Sequence, residues 1–157
     1  MGSARDLVNQ FYELSNSPQA GLADMRPLIA ADIAFTGPLN HASGAAEYRA
    51  ILEQLLPAHQ GYRMHQQFES GDQVCSIYDL LLTAPGGQTI AVPMVDWIVV
   101  RDGQVAAQTL FYDPRAFMQA FGDDGARDER PATHHRRPVC GNQRAADWLL
   151  SDRRTRP

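Results

Sequence analysis

The hydrophobic period of the chain changes once, near Gly61, and this limits the fold more than any other feature. Before Gly61 apolar residues recur at helical spacing; after it they alternate. Leu7, Val8, Phe11, Tyr12 and Leu14 share one face of an amphipathic helix over 4–16, with Ser3 as its N-cap. Leu22, Met25 and Leu28 or Ile29 predict a second, short helix over 21–30. The segment AFTGPLN reads as a short strand ending in a Gly-Pro turn. A third helix is expected over 44–57, carrying Tyr48, Ile51, Leu52, Leu55 and Leu56 and limited by Pro57. Beyond Gly61, YRMHQQFES, QVCSIYDLLLTA, QTIAVPMVDWIVV and QVAAQTLFYD read as successive strands joined by Gly-Asp, Pro-Gly-Gly and Asp-Gly turns. Pro114 opens a last helix carrying Phe117, Met118 and Phe121. Helices followed by a strand meander predict an α+β domain, a curved antiparallel sheet with helices packed on one face.

Charge divides the chain. Residues 1–121 hold 6 Arg against 12 acids, whereas 122–157 hold 8 Arg against 6 acids and few aliphatic residues. We therefore expect one folded domain over 1–121 and a disordered, Arg-rich tail over 122–157, with one short helix near 143–151. His134 and His135 in that tail lack acidic or Cys partners at ligand spacing, so no metal site is expected there. A net charge of −4 argues against nucleic acid or an anionic membrane as partner. No apolar run approaches the ~20 residues of a membrane span, and the N-terminus does not read as a signal peptide. Two cysteines make no disulfide framework. A reduced, cytoplasmic protein is expected. No Gly-rich phosphate loop or nucleophile elbow is present, and no cofactor is expected.

Strand alternation selects the candidate site. In AVPMVDWIVV, Val92, Met94, Asp96, Ile98 and Val100 share one face, and Pro93, Val95, Trp97 and Val99 the other. Both faces are apolar, so helices should cover one and a second subunit the other. Asp96 is then a carboxylate in an apolar row, where burial raises its pKa towards neutrality. In CSIYDLLL, Asp79 shares a face with Cys75, Ile77 and Leu81. A hairpin turning at Pro85-Gly86-Gly87 sets Asp96 across from Ser76 to Tyr78, within reach of a cavity shared with Asp79. Two carboxylates in unlike environments divide into an acid and a base. Gln108, Leu110 and Tyr112 share a face of the last strand, and Tyr12 is placed to bring its hydroxyl into the same cavity. Asp113, before Pro114, reads as a helix N-cap. His41 falls in a flexible loop, His59 and His65 flank the first long strand, and Tyr48 and Tyr78 read as packing or interface residues.

The element order, with LIAADIAFTGPL, MVDWIVVRDGQV and LFYDPRAFMQAF as its carriers, resembles the nuclear transport factor two-like superfamily. More narrowly it resembles the SnoaL-like branch, over about residues 4–121. The resemblance implies a cone-shaped fold with an apolar pocket between sheet and helices, commonly dimeric through the sheet. Asp96 falls where ketosteroid isomerases hold the protonated Asp of their oxyanion hole. Gly37 stands at their base and Phe11 at their oxyanion Tyr. Asp79 matches one Asp of the limonene epoxide hydrolases, with Ile77 and Leu110 at their Arg and second Asp.

The expected function is a cofactor-independent acid–base enzyme for a small apolar molecule, of cyclase, isomerase, dehydratase or epoxide hydrolase type. Asp96 and Asp79 are its candidate catalytic residues. Phe11, Tyr12, Phe35, Met94, Ile98, Gln108, Leu110 and Tyr112 are the candidate ligand contacts. Its alternatives are a non-catalytic ligand-binding protein of the same fold, and an interaction module whose buried acids stabilise a dimer.

Overall fold

The computed structural model of the chain describes residues 2–17 and 22–122, so the expectations for the Arg-rich tail lie outside the described residues. Helix α1 spans Ala4–Asn16 and begins with a capping box. The Ser3 side chain accepts from the Asp6 amide and the Asp6 carboxylate accepts from the Ser3 amide, satisfying two amides that the helix leaves free. Its buried face is Val8, Phe11 and Tyr12. Helix α2 is a single turn, Leu22–Met25, continued by a 3₁₀ turn over Arg26–Leu28. The helix expected over 21–30 therefore stops short. Ile29 leaves it to pair with Val105, because a strand partner distant in sequence outweighs local helical spacing.

Strand β1 spans Ile29–Thr36 and β2 spans His41–Ser43, which makes His41 a strand residue and not part of a flexible loop. Helix α3 follows as Ala45–Leu55. The chain turns into it at Gly44, whose φ of 96° is closed to ordinary side chains and whose amide donates to Ile33 O at 2.7 Å. The long strands are β3 (His59–Ser70), β4 (Gln73–Thr83), β5 (Thr89–Arg101) and β6 (Gln104–Phe111). Helix α4, Pro114–Phe121, is capped by the Asp113 carboxylate on the Arg115 amide. Arg115 also holds that exposed carboxylate down at about 2.

The strands form one six-stranded sheet in the order β2-β1-β6-β5-β4-β3. Among the described strands only the β1–β6 pair is parallel, since β6, at the end of the meander, comes to lie beside β1, which was laid down before it. The tight β5–β6 turn places Asp102 and Gly103 at φ 54° and 71°, the left-handed pair that matches the sheet's twist. Helix α1 packs over β3 and β4, α3 over β1 and β2, and α4 beside β5. The core lies between helices and sheet, where Ile33, Val74, Leu82, Val92, Ile98 and Val105 are fully buried. Each such side chain contributes about 1.5–3 kcal/mol by leaving water. Among the described residues no helix is long and apolar enough to cross a membrane.

Candidate functional site

The cross-strand register brings Ser76 of β4, Asp96 of β5 and Leu110 of β6 into one row at the middle of the sheet. Asp96 therefore points under the helices and is 0% exposed. Its Oδ2 accepts three hydrogen bonds: from Tyr12 Oη at 2.7 Å, Gln108 Nε2 at 2.8 Å and Tyr78 Oη at 3.4 Å. Its Oδ1 is equally buried and has no partner among the described residues. Burial pushes the carboxyl up to about 6, and the bonds from Tyr12, Gln108 and Tyr78, which favour the anion, moderate the rise.

Two donor chains converge on that oxygen. On one side Tyr48 donates to Gln108 Oε1 at 2.5 Å, which fixes the amide so that its Nε2 faces Asp96. On the other, Arg5 Nε donates to Gln67 Oε1 at 2.8 Å and Gln67 Nε2 to Ser76 Oγ at 3.1 Å. Ser76 in turn hydrogen-bonds Tyr12. Every donor points towards Asp96 Oδ2, so the carboxylate is the acceptor at which both chains end. Burial drives the phenols of Tyr12, Tyr48, Tyr62 and Tyr78 well above 10, so they remain proton donors at neutral pH. Among these grouped side chains, only Asp96 changes charge near neutrality.

A cavity of about 60 Å³ lies above this network, between the sheet and α1, α3 and α4. That is room for roughly four waters. Phe11, Phe35, Met94, Gln108, Leu110 and Tyr112 line it, as do Asn40, Tyr48, Tyr62 and Tyr78. Asp96, Tyr12 and Ile98 do not form its wall; the acid sits behind Tyr78 and Gln108. Phe11 and Tyr12 show how α1 divides the work, since Phe11 faces the cavity while its neighbour Tyr12 carries the hydroxyl to Asp96. Tyr48, Tyr62, Tyr78 and Asn40 were not selected from sequence. The helical and strand periods mark three of them only as buried aromatics, and Asn40 sits in a turn with no period at all.

Asp79 does not share the cavity with Asp96. Ser76 is the residue paired with Asp96, and Asp79, three positions on, pairs with Pro93 and lies on the opposite face of the sheet. Strand alternation alone requires this, because an odd offset reverses the face. There Asp79 Oδ2 contacts His65 Nε2 at 3.0 Å and Arg63 Nε at 3.6 Å. His59 begins β3 and packs edge-on against Tyr62 with ring centroids 4.8 Å apart. Burial lowers its pKa. Among the described residues no three His, Cys, Asp or Glu side chains are grouped to hold a metal.

The profile of the SnoaL-like domain family matches residues 8–108. No functionally curated protein matches the chain. Solved structures share the fold. A protein of unknown function from Cytophaga hutchinsonii, described as nuclear transport factor two-like, is 24% identical with a TM-score of 0.63, covering 75% of this chain and 96% of its own. A candidate SnoaL-like polyketide cyclase from Jannaschia sp. CCS1 is 20% identical with a TM-score of 0.66, covering 76% and 92%. IdmH of Streptomyces antibioticus, a proposed polyketide cyclase, is 19% identical with a TM-score of 0.63, covering 77% and 99%.

Proposed function

We propose, from the premise that this chain belongs to the SnoaL-like domain family, that it is a cofactor-independent enzyme moving protons on a small, largely apolar molecule. The observation that carries the reading is Asp96: a fully buried carboxyl with one oxygen held by three donors, the other without a partner, and a pKa of about 6. A carboxyl tuned to that range gives and takes a proton at neutral pH. The cyclase assignments of some structural neighbours point the same way.

Tyr78 is the link between the acid and the cavity. It lines the cavity, and its bond to Asp96 is long at 3.4 Å where that of Tyr12 is 2.7 Å, so its hydroxyl is the loosest of the three donors. In the acid direction, Tyr78 passes its proton to a ligand oxygen as the Asp96 proton moves to Tyr78 Oη. In the base direction, Tyr78 Oη takes a proton from the ligand as its own passes to Asp96. The phenol is neutral before and after each step. Gln108 and Tyr48 hold the carboxylate in place.

Proton exchange is the most general test. Incubating the protein with a panel of neutral, enolisable ketones in D₂O and following deuterium incorporation by NMR detects this chemistry whatever the final product. Wild type exchanges, with a rate that turns over near pH 6. Asp96→Asn loses about 10²–10⁴-fold while still binding the ketone. Equal exchange by both proteins overturns the reading, and binding without exchange favours the alternative of a ligand-binding protein.

The partner we propose is a second copy of the chain. On the sheet face away from the helices, Phe68, Trp97 and Phe111 are 54%, 42% and 53% exposed. Ile77 and Val95 lie between them in register, and an apolar patch of this kind marks an interface. Sedimentation at micromolar concentration is expected to give a dimer that Trp97→Arg disrupts; a monomeric wild type overturns this.

A further inference from the structure

We propose that Asn40 is the ligand-recognising donor of the cavity, and that the ligand is a neutral molecule presenting an acceptor oxygen to it, such as a ketone, ester, lactone or quinone carbonyl. This rests on the reading of the cavity as a ligand site. Two buried side-chain polar atoms lack a hydrogen-bond partner among the described residues: Asp96 Oδ1 and Asn40 Nδ2. Asn40 belongs to the cavity wall. A buried amide N–H without a partner is uncommon in a folded protein and calls for an acceptor.

Four of the other polar side chains of the wall are engaged. Tyr48 donates to Gln108, Gln108 and Tyr78 donate to Asp96, and Tyr62 is bonded to Ser15. Tyr112 is half-buried, as Asn40 is, but its hydroxyl is not among the buried side-chain atoms left without a partner. The Asn40 backbone has its own role, since its carbonyl accepts from the Gly37 amide at 2.8 Å and closes the turn between β1 and β2. Its side chain is free of that duty. No Arg or His is among the lining residues, so a charged ligand would find no counter-ion, whereas a neutral acceptor matches an amide donor.

Position adds a second constraint. Asn40 follows β1, and Tyr78 is on β4, with β6 and β5 between them in the sheet. The oxygen received by Asn40 and the atom that exchanges a proton with Tyr78 are then different parts of the ligand. Asn40 orients the molecule, and Tyr78 meets its reacting end.

The test compares two probes of one shape, cyclohexanone and methylenecyclohexane, titrated into wild type, Asn40→Leu and Asn40→Asp and followed by NMR. With wild type, the ketone moves the Asn40 side-chain amide signals and the alkene does not. Asn40→Leu lowers ketone affinity by about tenfold and leaves alkene affinity within about twofold, the signature of one lost buried hydrogen bond. Asn40→Asp, close in shape but repelling an acceptor, lowers ketone affinity as well and controls for a folding defect in the Leu variant. Unchanged ketone affinity in both variants, or an equal fall for both probes, overturns the role of Asn40 while leaving the cavity as a ligand site. Failure of both probes to bind wild type overturns both readings.

Discussion

Replacing Asp96 by Asn changes one atom in the middle of the core, and its effect on stability follows from the geometry. The buried carboxyl titrates at about 6, against 3.8 for an ordinary Asp. The unfolded chain releases its proton near 3.8, and the folded chain keeps it to about 6. Folding therefore takes up a proton between those values, and stability falls as pH rises through that window. The difference is worth about 3 kcal/mol, absent below pH 4 and fully felt above pH 7. The amide of Asn cannot ionise and carries no such penalty. With its oxygen in the place of Oδ2 it still accepts from Tyr12, Gln108 and Tyr78. Its NH₂ then occupies the place of Oδ1, which has no partner among the described residues, at a cost of about 1–2 kcal/mol. Asp96→Asn is thus expected to be more stable than wild type by about 1–2 kcal/mol at pH 8 and less stable by a similar amount at pH 4. Urea denaturation of both proteins at half-unit steps from pH 4 to 8 measures this, and groups common to both cancel in the difference. A difference that stays flat across the range refutes the reasoning, because Asp96 would then ionise as if in water.

Other outcomes follow from the same network. Gln108→Leu removes a donor from Asp96 and the acceptor of buried Tyr48; it is expected to cost about 2–3 kcal/mol and to move the Asp96 titration above 6, read from its carboxyl ¹³C shift. Asp79→Asn is expected to cost less than about 1 kcal/mol, since its partners Arg63 and His65 are themselves about half exposed. It should also leave ketone exchange unchanged, and a large loss of exchange would contradict the placing of Asp79 on the far face. Gly44→Ala forces a Cβ onto a backbone at φ 96° with Ala31 O at 3.4 Å; a loss of about 1–3 kcal/mol is expected in denaturant, and a neutral result would show that this turn relaxes freely.

Much of the architecture is legible along the chain because it rests on local periods and local chemistry. The spacing of Val8, Phe11 and Tyr12, the capping Ser3 and Asp113, and the alternation around Asp96 each depend on a few neighbouring residues, and each is found where the sequence puts it. The resemblance of LIAADIAFTGPL and MVDWIVVRDGQV extended this to the family, which the match over 8–108 shows. The misreadings lie where distant partners decide. Ile29 is pulled from a helix by Val105, and His41–Ser43 becomes a strand only because Ala34, Phe35 and Thr36 lie beside it. Likewise nearness in the β4–β5 register groups Asp79 with Asp96, whereas its parity sends the two to opposite faces.

The sequence by itself determined that an acid stands in an apolar row, that helices cover one side of the strand meander, and that the other side is apolar too. Periodicity and composition suffice for those statements, because they concern each element's own faces. Only the tertiary structure decided what surrounds the acid. Tyr12, Tyr78 and Gln108 come from three different elements, separated from Asp96 by 84, 18 and 12 positions, and no local pattern encodes their convergence on one oxygen. The same holds for the cavity, whose wall draws on α1, α3, α4, five strands and the turn at Asn40. Volume and hydrogen-bond pairing are properties of the packed whole, set once the helices close over the sheet.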